Sequence, residues 1–129
     1  MVTDSIGDLI IRLKNGNLAK KESISIFNSK LKEAVADALL RNGFVKSVSK
    51  TKNGKMLEIE LSYREDKSPK ILNVSRISKP SRRIYKNVSE IKPRANKLGL
   101  TMLSTPKGIL SDKEAYKQKV GGEAMFKIW

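Results

Sequence analysis

The pattern that most restricts the fold lies in the middle of the chain, where two stretches of alternating residues flank the dipeptide Asn53-Gly54. In the second stretch, residues 55–63, apolar and polar side chains alternate, which is typical of a strand with one buried face. Asn-Gly favours a type I′ turn, in which both central residues take positive φ angles. The sequence therefore predicts a β-hairpin that is formed by residues 45–50 and 55–63.

Two amphipathic helices and a short strand precede this hairpin. Apolar side chains at helical spacing predict a helix over residues 4–15, which ends at Gly16. Residues 23–27 alternate between polar and apolar and predict a strand. A second helix is predicted to begin after an N-cap at Ser29 and to end at Asn42, because the glycine that follows can take the left-handed conformation. The first half thus has the order α-β-α-β-β.

The second half carries mainly strand signals. Strands are predicted at residues 71–77, 82–85, 100–104 and 123–129. Short helices are predicted near residues 92–98 and after Ser111, since Ser111 and Glu114 have the spacing of a capping box. The polar, proline-containing residues 64–70 are the predicted linker between the halves. The fold class is therefore α+β, with an α/β N-terminal domain (α-β-α-β-β) followed by a β-rich C-terminal domain with short helices.

Positive charge is concentrated in the C-terminal domain. The chain has 27 Lys and Arg residues against 13 Asp and Glu residues, a net charge of +14. Residues 1–65, the predicted N-terminal domain, carry 12 basic and 8 acidic side chains, a net charge of +4, whereas residues 66–129 carry 15 and 5, a net charge of +10. Such an excess favours a polyanionic partner, commonly a nucleic acid and more rarely an anionic membrane surface. We therefore expect residues 66–129 to provide the main surface for such a polyanion.

The absence of His and Cys excludes several classes of function. Without them there is no imidazole base, no thiol nucleophile, no disulfide and no zinc site built from these ligands. The nucleophile–base spacing Ser-x-x-Lys occurs five times, which indicates chance in a chain rich in both residues. We predict no enzyme activity, no cofactor and no metal. Neither a secretory signal nor a run of about 18 apolar residues is found, so we expect a soluble, intracellular protein that does not span a membrane and has no membrane partner.

Two segments of the C-terminal domain carry candidate RNA-binding side chains. In the first segment basic and apolar residues alternate, so that guanidinium groups can project from a sheet and bind phosphate oxygens in a bidentate fashion. Its basic residues are Arg76, Lys79, Arg82 and Arg83. Tyr85, which follows them, offers a ring for base stacking, although a half-buried core position explains a tyrosine equally well. In the second segment a turn presents Ser104, Thr105 and Lys107, whose hydroxyls suit base edges and the ribose 2′-OH.

Several motifs follow one another in an order that is typical of a single family. The most specific is the run GLTMLSTPKGILSDKEAY at residues 99–116, which is followed by Val-Gly-Gly-Glu at residues 120–123. Residues 76–80 and 83–85 provide a second block, and residues 4–15 provide an N-terminal helix. In these motifs and their order, over essentially its whole length, the chain resembles the small-ribosomal-subunit protein number eight family of the bacterial type.

This resemblance implies a primary ribosomal-RNA-binding protein, which binds the central domain of the small-subunit RNA and helps to assemble the subunit. By matching position, it implies RNA contacts for Ser104, Thr105, Lys107, Tyr85, Gly122 and Glu123, for the basic residues Arg76, Lys79, Arg82 and Arg83, and for Asp4, Arg12 and Asn15 near the N-terminus. It also implies neighbouring small-subunit proteins as partners. The implied location is the ribosome, either in the cytoplasm or in an organelle that encodes the chain.

The sequence departs from the family pattern at three positions. Pro106 stands where the family usually has Ser, so one hydroxyl is lost and the turn is stiffened. Ser81 stands where the family usually has Gly, which argues against a turn with a positive φ angle at this position. Lys97 replaces another common Gly. Glu123 is an acid at an expected RNA surface, where it can orient neighbouring hydroxyl or Lys groups or accept from a base amino group.

Two other functions remain open from the residues alone. A general nucleic-acid-binding or regulatory module, for instance a repressor of its own messenger RNA, would use the same basic surface. An enzyme that uses Ser and Lys is the second, although the partner motifs of such enzymes are missing. Comparison of ribosomal RNA with duplex DNA as ligands distinguishes the first, because a general binder would be indifferent to the two.

Overall fold

The computed structural model describes residues 4–92 and 99–129. By internal packing the chain divides into two compact units, of which Ser5–Leu72 forms the first and Asn73–Trp129 together with Asp4 forms the second. The sequence placed a domain boundary after residue 65, and a division into two independent domains stays a prediction.

The predicted linker, residues 64–70, folds back onto the first unit. The backbone N–H of Arg64 donates to the carbonyl of Ser68 (2.9 Å), and that of Lys70 donates to the carbonyl of Ser62 (3.3 Å). These bonds satisfy backbone groups that a free linker would leave to water. The packing boundary consequently lies after this segment and not before it.

The first unit is a three-stranded antiparallel sheet with two helices. Its elements are α1 (Ser5–Leu18), β1 (Ser23–Phe27), α2 (Lys30–Arg41), β2 (Val45–Thr51) and β3 (Met56–Leu61). The strand order is β1-β3-β2, and the predicted order α-β-α-β-β is confirmed. The N-cap of α2 is confirmed as well, because the hydroxyl of Ser29 accepts from the N–H of Lys32 (3.2 Å), and Gly43 beyond the helix is left-handed (φ 80°).

The sequence predicted that the first helix ends at Gly16, but in the structure this helix continues to Leu18. A Cβ atom at Gly16 would lie 2.9 Å from Cγ2 of Ile24 and 3.0 Å from Cδ1 of Leu61. The glycine therefore allows close packing of the helix on the sheet and does not end the helix. The left-handed residue after the helix is Lys20 (φ 57°).

The turn of the predicted hairpin has the expected left-handed backbone. Asn53 (φ 59°) and Gly54 (φ 85°) both have positive φ angles, and the N–H of Lys55 donates to the carbonyl of Lys52 (3.2 Å). These are the requirements of a type I′ turn. Lys52, directly before the two central residues, has a positive φ angle as well (52°), so three consecutive residues are left-handed.

One face of this sheet is buried under the helices, whereas the other is exposed or half-buried. The buried apolar residues of the unit are Ile26, Val45, Leu57, Ile59 and Leu61 of the strands and Ile6, Leu9, Ile10, Leu13, Val35, Ala36, Ala38 and Leu39 of the helices. This one-sided burial matches the alternation of β3, since antiparallel sheets can leave one face to solvent. Within residues 4–92 and 99–129, no helix combines the length and the apolar character that crossing a membrane would require.

The second unit is a five-stranded antiparallel sheet built around one long strand. Its elements are β4 (Val74–Arg76), β5 (Tyr85–Lys86), β6 (Leu100–Thr105), β7 (Gly108–Ser111), α3 (Asp112–Lys117) and β8 (Gly122–Ile128). One edge of β8 pairs with β6, which in turn pairs with β7, and the other edge pairs with both β4 and β5. Phe126 of β8 and Met102 and Leu103 of β6 are fully buried, so the predicted strands 100–104 and 123–129 are confirmed as its core.

Two strands of the second unit are shorter than the predicted strands at residues 71–77 and 82–85. Between β4 and β5, the hydroxyl of Ser78 accepts from the N–H of Ile84 (2.8 Å) and donates to the carbonyl of the same residue (3.2 Å). The N–H of Ile84 thus binds a side chain and not a strand, whereas its carbonyl also accepts from the N–H of Ala124 in β8 (2.9 Å). The segment forms a loop that both begins and ends beside β8.

The helical predictions of the second unit have three outcomes. The capping box at Ser111 is confirmed and starts α3. The helix predicted near residues 92–98 falls, apart from its first residue, outside the described residues. A short 3₁₀ helix, Val88–Ile91, was not predicted, although Asn87 and Glu90 form a capping box whose spacing is visible in the sequence.

We predict that Ser29→Ala lowers the free energy of unfolding by about 1 kcal/mol, because the substitution removes the N-cap acceptor of α2. Denaturation in urea measures this loss. Ser81→Ala is the matched control, since Ser81 is exposed and lies in a turn. Equal losses in the two variants would contradict the role of Ser29 as a cap.

Candidate nucleic-acid interface

The turn predicted to bind RNA closes the hairpin of β6 and β7. Thr105 pairs with Gly108, so Pro106 and Lys107 form the loop, and Gly108 has a positive φ angle (111°). The hydroxyl of Thr105 donates to the carbonyl of Gly108 (2.8 Å) and accepts from the N–H of Lys107 (3.1 Å). Thr105 therefore holds the turn together, and its hydroxyl proton is already bound within the protein.

The two hydroxyls of this turn, which look equivalent in the sequence, differ in the structure. Ser104 is half-buried, and its hydroxyl makes no hydrogen bond within residues 4–92 and 99–129. It is free both to donate to a ligand and to accept from one. Lys107 is exposed at the tip of the loop. The sequence signal that could have separated the two hydroxyls is Thr-Pro-Lys-Gly, in which a Thr before a Pro commonly stabilises a turn.

Three strands bring Tyr85, Glu123 and Ser104 into one row, which we call the RNA row because RNA contacts are predicted for all three residues. Glu123 of β8 lies opposite Tyr85 of β5 on one side and opposite Ser104 of β6 on the other. Residues opposite each other in antiparallel strands point to the same face with Cβ atoms about 5 Å apart. Tyr85 is 69% exposed, so the alternative of a core tyrosine is wrong. An aromatic ring, a carboxylate and a hydroxyl thus share one face.

The carboxylate of the RNA row is neutralised by an arginine. Nη1 of Arg83 lies 3.1 Å from Oε2 of Glu123, and their side chains are 50% and 18% exposed. Glu123 is consequently a covered acceptor and not an open negative charge. One N–H group of Arg83 is bound in this pair, and the other N–H groups of its guanidinium can bind phosphate. The sequence analysis did not predict this pair. Arg83 and Tyr85 are two residues apart, the spacing of side chains on the same side of a strand, and Glu123 lies opposite Tyr85.

The two glycines before Glu123 allow β8 to approach its neighbours closely. A Cβ atom at Gly121 would lie 2.4 Å from the carbonyl oxygen of Lys86, and one at Gly122 would lie 2.1 Å from that of Ser104. Neither glycine has a positive φ angle, so what they provide is space. The dipeptide therefore allows the backbones of β5, β6 and β8 to approach one another closely.

The basic loop between β4 and β5 turns sharply at its tip. Lys79 and Arg82 exchange backbone hydrogen bonds in both directions (2.9 Å each), with Pro80 and Ser81 between them. Ser81 does not have a positive φ angle, so the glycine that it replaces is not required for this turn. Both basic side chains are exposed, and neither forms an ion pair with a carboxylate of the described residues.

Arg76 and Asp4 form an ion pair that is mostly covered. Nε and Nη2 of Arg76 lie 2.9 and 3.0 Å from the two carboxylate oxygens of Asp4, and Nη1 donates to the carbonyl of Met125. The Arg76 side chain is only 13% exposed. Bidentate geometry of this kind fixes both partners. The structure thus gives these two residues a mutual role, and their contacts with RNA stay predictions.

The remaining predicted residues, Arg12 and Asn15, belong to the first unit. They line a cavity of about 420 Å³, together with Lys21 and the start of β1. Nε of Arg12 lies 3.1 Å from a carboxylate oxygen of Asp8, one helical turn earlier, and both side chains are more than half exposed. Exposed pairs of this type contribute little to stability, so Arg12 can exchange its partner for a phosphate.

Comparison with known proteins identifies relatives of the whole chain. A family model described as "Ribosomal protein S8" matches residues 4–129. The small ribosomal subunit protein uS8 of Erythrobacter litoralis is 45% identical over 130 residues, which cover 99% of this chain and 98% of the relative. The uS8 protein of Caldanaerobacter subterraneus subsp. tengcongensis is 42% identical, over 100% of this chain and 99% of the relative. The uS8 protein of Zymomonas mobilis is 43% identical, over 99% of this chain and 98% of the relative.

We predict that Gly122→Ala lowers the free energy of unfolding by about 1–3 kcal/mol, because the added methyl group meets the backbone of β6, which cannot move aside cheaply. Urea denaturation measures the loss. Gly43→Asn is the control, because nothing lies within 4 Å of a Cβ atom there and Asn tolerates a positive φ angle. A loss at Gly122 no larger than that at Gly43 would contradict the close approach.

Proposed function

This chain belongs to the ribosomal protein S8 family, and we propose that it binds the central domain of the small-subunit ribosomal RNA through the RNA row and the basic loops beside it. The chain is a structural, non-enzymatic component of the small ribosomal subunit and works in the ribosome. The observation that supports the proposed RNA surface is the alignment of an exposed ring, a covered carboxylate and a free hydroxyl across three strands.

Among the predicted contact residues, phosphate binding is assigned to the cations that have no carboxylate partner within the described part of the chain. These are Lys79, Arg82 and Lys107, all of them exposed and in loops. Phosphate contacts supply most of the affinity for nucleic acid but carry no sequence information. Arg83 contributes more weakly, because one of its N–H groups is already bound to Glu123.

Recognition of the particular RNA is assigned to the RNA row. Ser104 can donate to and accept from a base edge or a 2′-OH group, and Tyr85 presents a ring on which an unstacked base can lie. Glu123, neutralised by Arg83, can accept from a base amino group. The deep, narrow major groove of A-form RNA is closed to side chains, so this row suits a wide minor groove or splayed bases.

Four of the predicted contact residues are better explained as supports of this surface. Thr105 holds the turn through its hydroxyl, and Gly122 brings β8 close to β6. Arg76 and Asp4 hold each other. Arg12 and Asn15, in contrast, line a cavity with an exposed cation, and we assign them to a second and separate RNA contact.

We predict that Lys107→Ala weakens RNA binding and lowers the slope of log affinity against log salt concentration by about 1, since one phosphate contact is lost. Titrations at several salt concentrations measure the slope. Lys55→Ala is the charge-matched control, because Lys55 is exposed in the hairpin turn of the first unit. An unchanged slope in Lys107→Ala, or an equal change in the control, would exclude Lys107 as a phosphate ligand.

The proposed function is tested with three ligands, namely a central-domain RNA fragment, the same fragment with a disrupted helix, and duplex DNA. We expect the full-length protein to prefer the intact fragment, whereas indifference among the three would support a general nucleic-acid-binding module. If the chain's own messenger RNA presents a similar helix, the same surface would bind it, which competition between the two RNAs detects.

The same three ligands separate the two hydroxyls of the turn. We predict that Ser104→Ala lowers the preference for the intact RNA about tenfold, because a hydrogen bond to a base or sugar is lost. Thr105→Ala should instead lower the free energy of unfolding by about 1 kcal/mol, because its hydroxyl bonds are internal. Equal losses of affinity for intact and disrupted RNA in Ser104→Ala would contradict this division of roles.

A further inference from the structure

The face of the first unit's sheet that is not covered by its helices carries three rows of side chains. Strand register groups them as Phe27, Met56 and Thr51, then Ser25, Glu58 and Ser49, then Ser23, Glu60 and Ser47. We call these nine residues the open sheet face. Because side chains alternate along each strand, they point away from the buried apolar residues of the same strands. This surface shares no residue with the RNA row.

One end of the open sheet face is apolar. Phe27 is 76% exposed, the largest exposed fraction of any large apolar side chain in the described residues. It lies directly opposite Met56, which is half-buried. An aromatic side chain can bury about 150–250 Å² against a partner. Exposed apolar surface with a polar rim is typical of protein interaction sites.

The middle and the other end of the open sheet face are acidic. The hydroxyl of Ser47 donates to Glu60 (3.0 Å), and Nζ of Lys46 lies 3.3 Å from the same carboxylate. The Ser47 bond and then Lys46 lower the pKa of Glu60, so this carboxylate, which is ionised at neutral pH, stays ionised further into the acid range than an ordinary glutamate. Glu58 is exposed, and within the described residues its hydrogen bond is to the hydroxyl of Ser23 (3.4 Å), with no cation beside it. One carboxylate charge is therefore left without compensation.

The sign of this charge distinguishes among partners. The chain as a whole has a net charge of +14, yet the open sheet face contains two glutamates and neither Lys nor Arg. Phosphate groups of RNA would be repelled there, and a second copy of the chain would place glutamate against glutamate. A cationic polypeptide has the complementary charge. Apart from RNA, the macromolecules of a small ribosomal subunit are proteins.

We propose that the open sheet face docks a basic segment of a neighbouring small-subunit protein, with an apolar side chain of that segment covering Phe27 and Met56 and a Lys or Arg pairing with Glu58. The surface is defined by the sheet register and does not depend on the proposed RNA contacts. It gives the first unit a binding role of its own, whereas the second unit carries the RNA row.

The absence of cysteine from the chain makes a direct test possible. Ser25→Cys places a single thiol at the centre of the open sheet face, on an exposed residue, and a short photoactivated crosslinker is attached to it. The full-length protein is assembled into small ribosomal subunits, irradiated, and analysed for crosslinked protein and crosslinked RNA. We expect a crosslink to one small-subunit protein through a Lys- or Arg-containing peptide.

Two further substitutions are introduced separately into the Ser25→Cys protein. Phe27→Ser removes the apolar anchor and Glu58→Lys reverses the free charge, and each should lower the occupancy of the crosslinked contact about thirtyfold if these residues carry the binding energy. Leu72→Ser and Glu65→Lys are matched controls, because they change an exposed apolar residue and an exposed glutamate outside the face. Circular dichroism confirms that each variant is folded.

Four results would overturn the proposal. They are a crosslink to ribosomal RNA, a crosslink to a second copy of the chain, no crosslink in assembled subunits, and a protein crosslink that Phe27→Ser and Glu58→Lys leave unchanged. Failure of RNA binding by the RNA row would not produce any of these results by itself, provided that the protein still enters the subunit. The two proposals can therefore fail separately.

Discussion

The contact on which the second unit depends is the close approach of β8 to the strands on both of its sides. At Gly122 the carbonyl oxygen of Ser104 occupies the space of a side chain, and at Gly121 the carbonyl oxygen of Lys86 does the same. Any other residue would force the strands apart by its first carbon atom. Because the backbones meet here, β8 pairs with β5 and β6 at the same residue, and Glu123 lies between a ring and a hydroxyl.

Net charge does not by itself distinguish a cation that holds the fold from one that binds a ligand. Arg76 binds Asp4 and a backbone carbonyl, and its side chain is only 13% exposed. Arg83 is shared between Glu123 and solvent. Lys79 and Lys107 lie exposed in loops and stay hydrated, which suits the phosphate binding proposed for them. The acids of the chain thereby determine which of its cations are available for phosphate.

Local signals predicted the elements whose geometry is decided by neighbouring residues. Asn53 and Gly54 formed the expected turn, and Ser29 and Ser111 capped the expected helices, because each involves atoms only a few residues apart. Predictions failed where a distant partner decides. Gly16 resembles a helix end, but it faces side chains of β1 and β3, and its small size serves packing.

The same distinction applies to the candidate site. Sequence motifs identified the turn of Ser104 and Thr105, and alternation with charge identified the basic loop, since residue type and spacing are enough for both. These motifs do not show which hydroxyl is free. That depends on the hydrogen bond from the Thr105 hydroxyl to the carbonyl of Gly108, which the folded backbone of the turn brings within reach. The pairing of Arg83 with Glu123 joins residues 40 positions apart.

The sequence by itself determined the α+β class, the order of the first five elements, the excess of positive charge in the second half and the family. These follow from periodicity, caps, turn chemistry and composition, which act over short distances or sum over the chain. Only the tertiary structure decided which charges are neutralised, which hydroxyl is free and which three residues share the RNA row. Strand register makes these decisions, because it sets the neighbours of each side chain and depends on backbone contacts between residues far apart in the sequence.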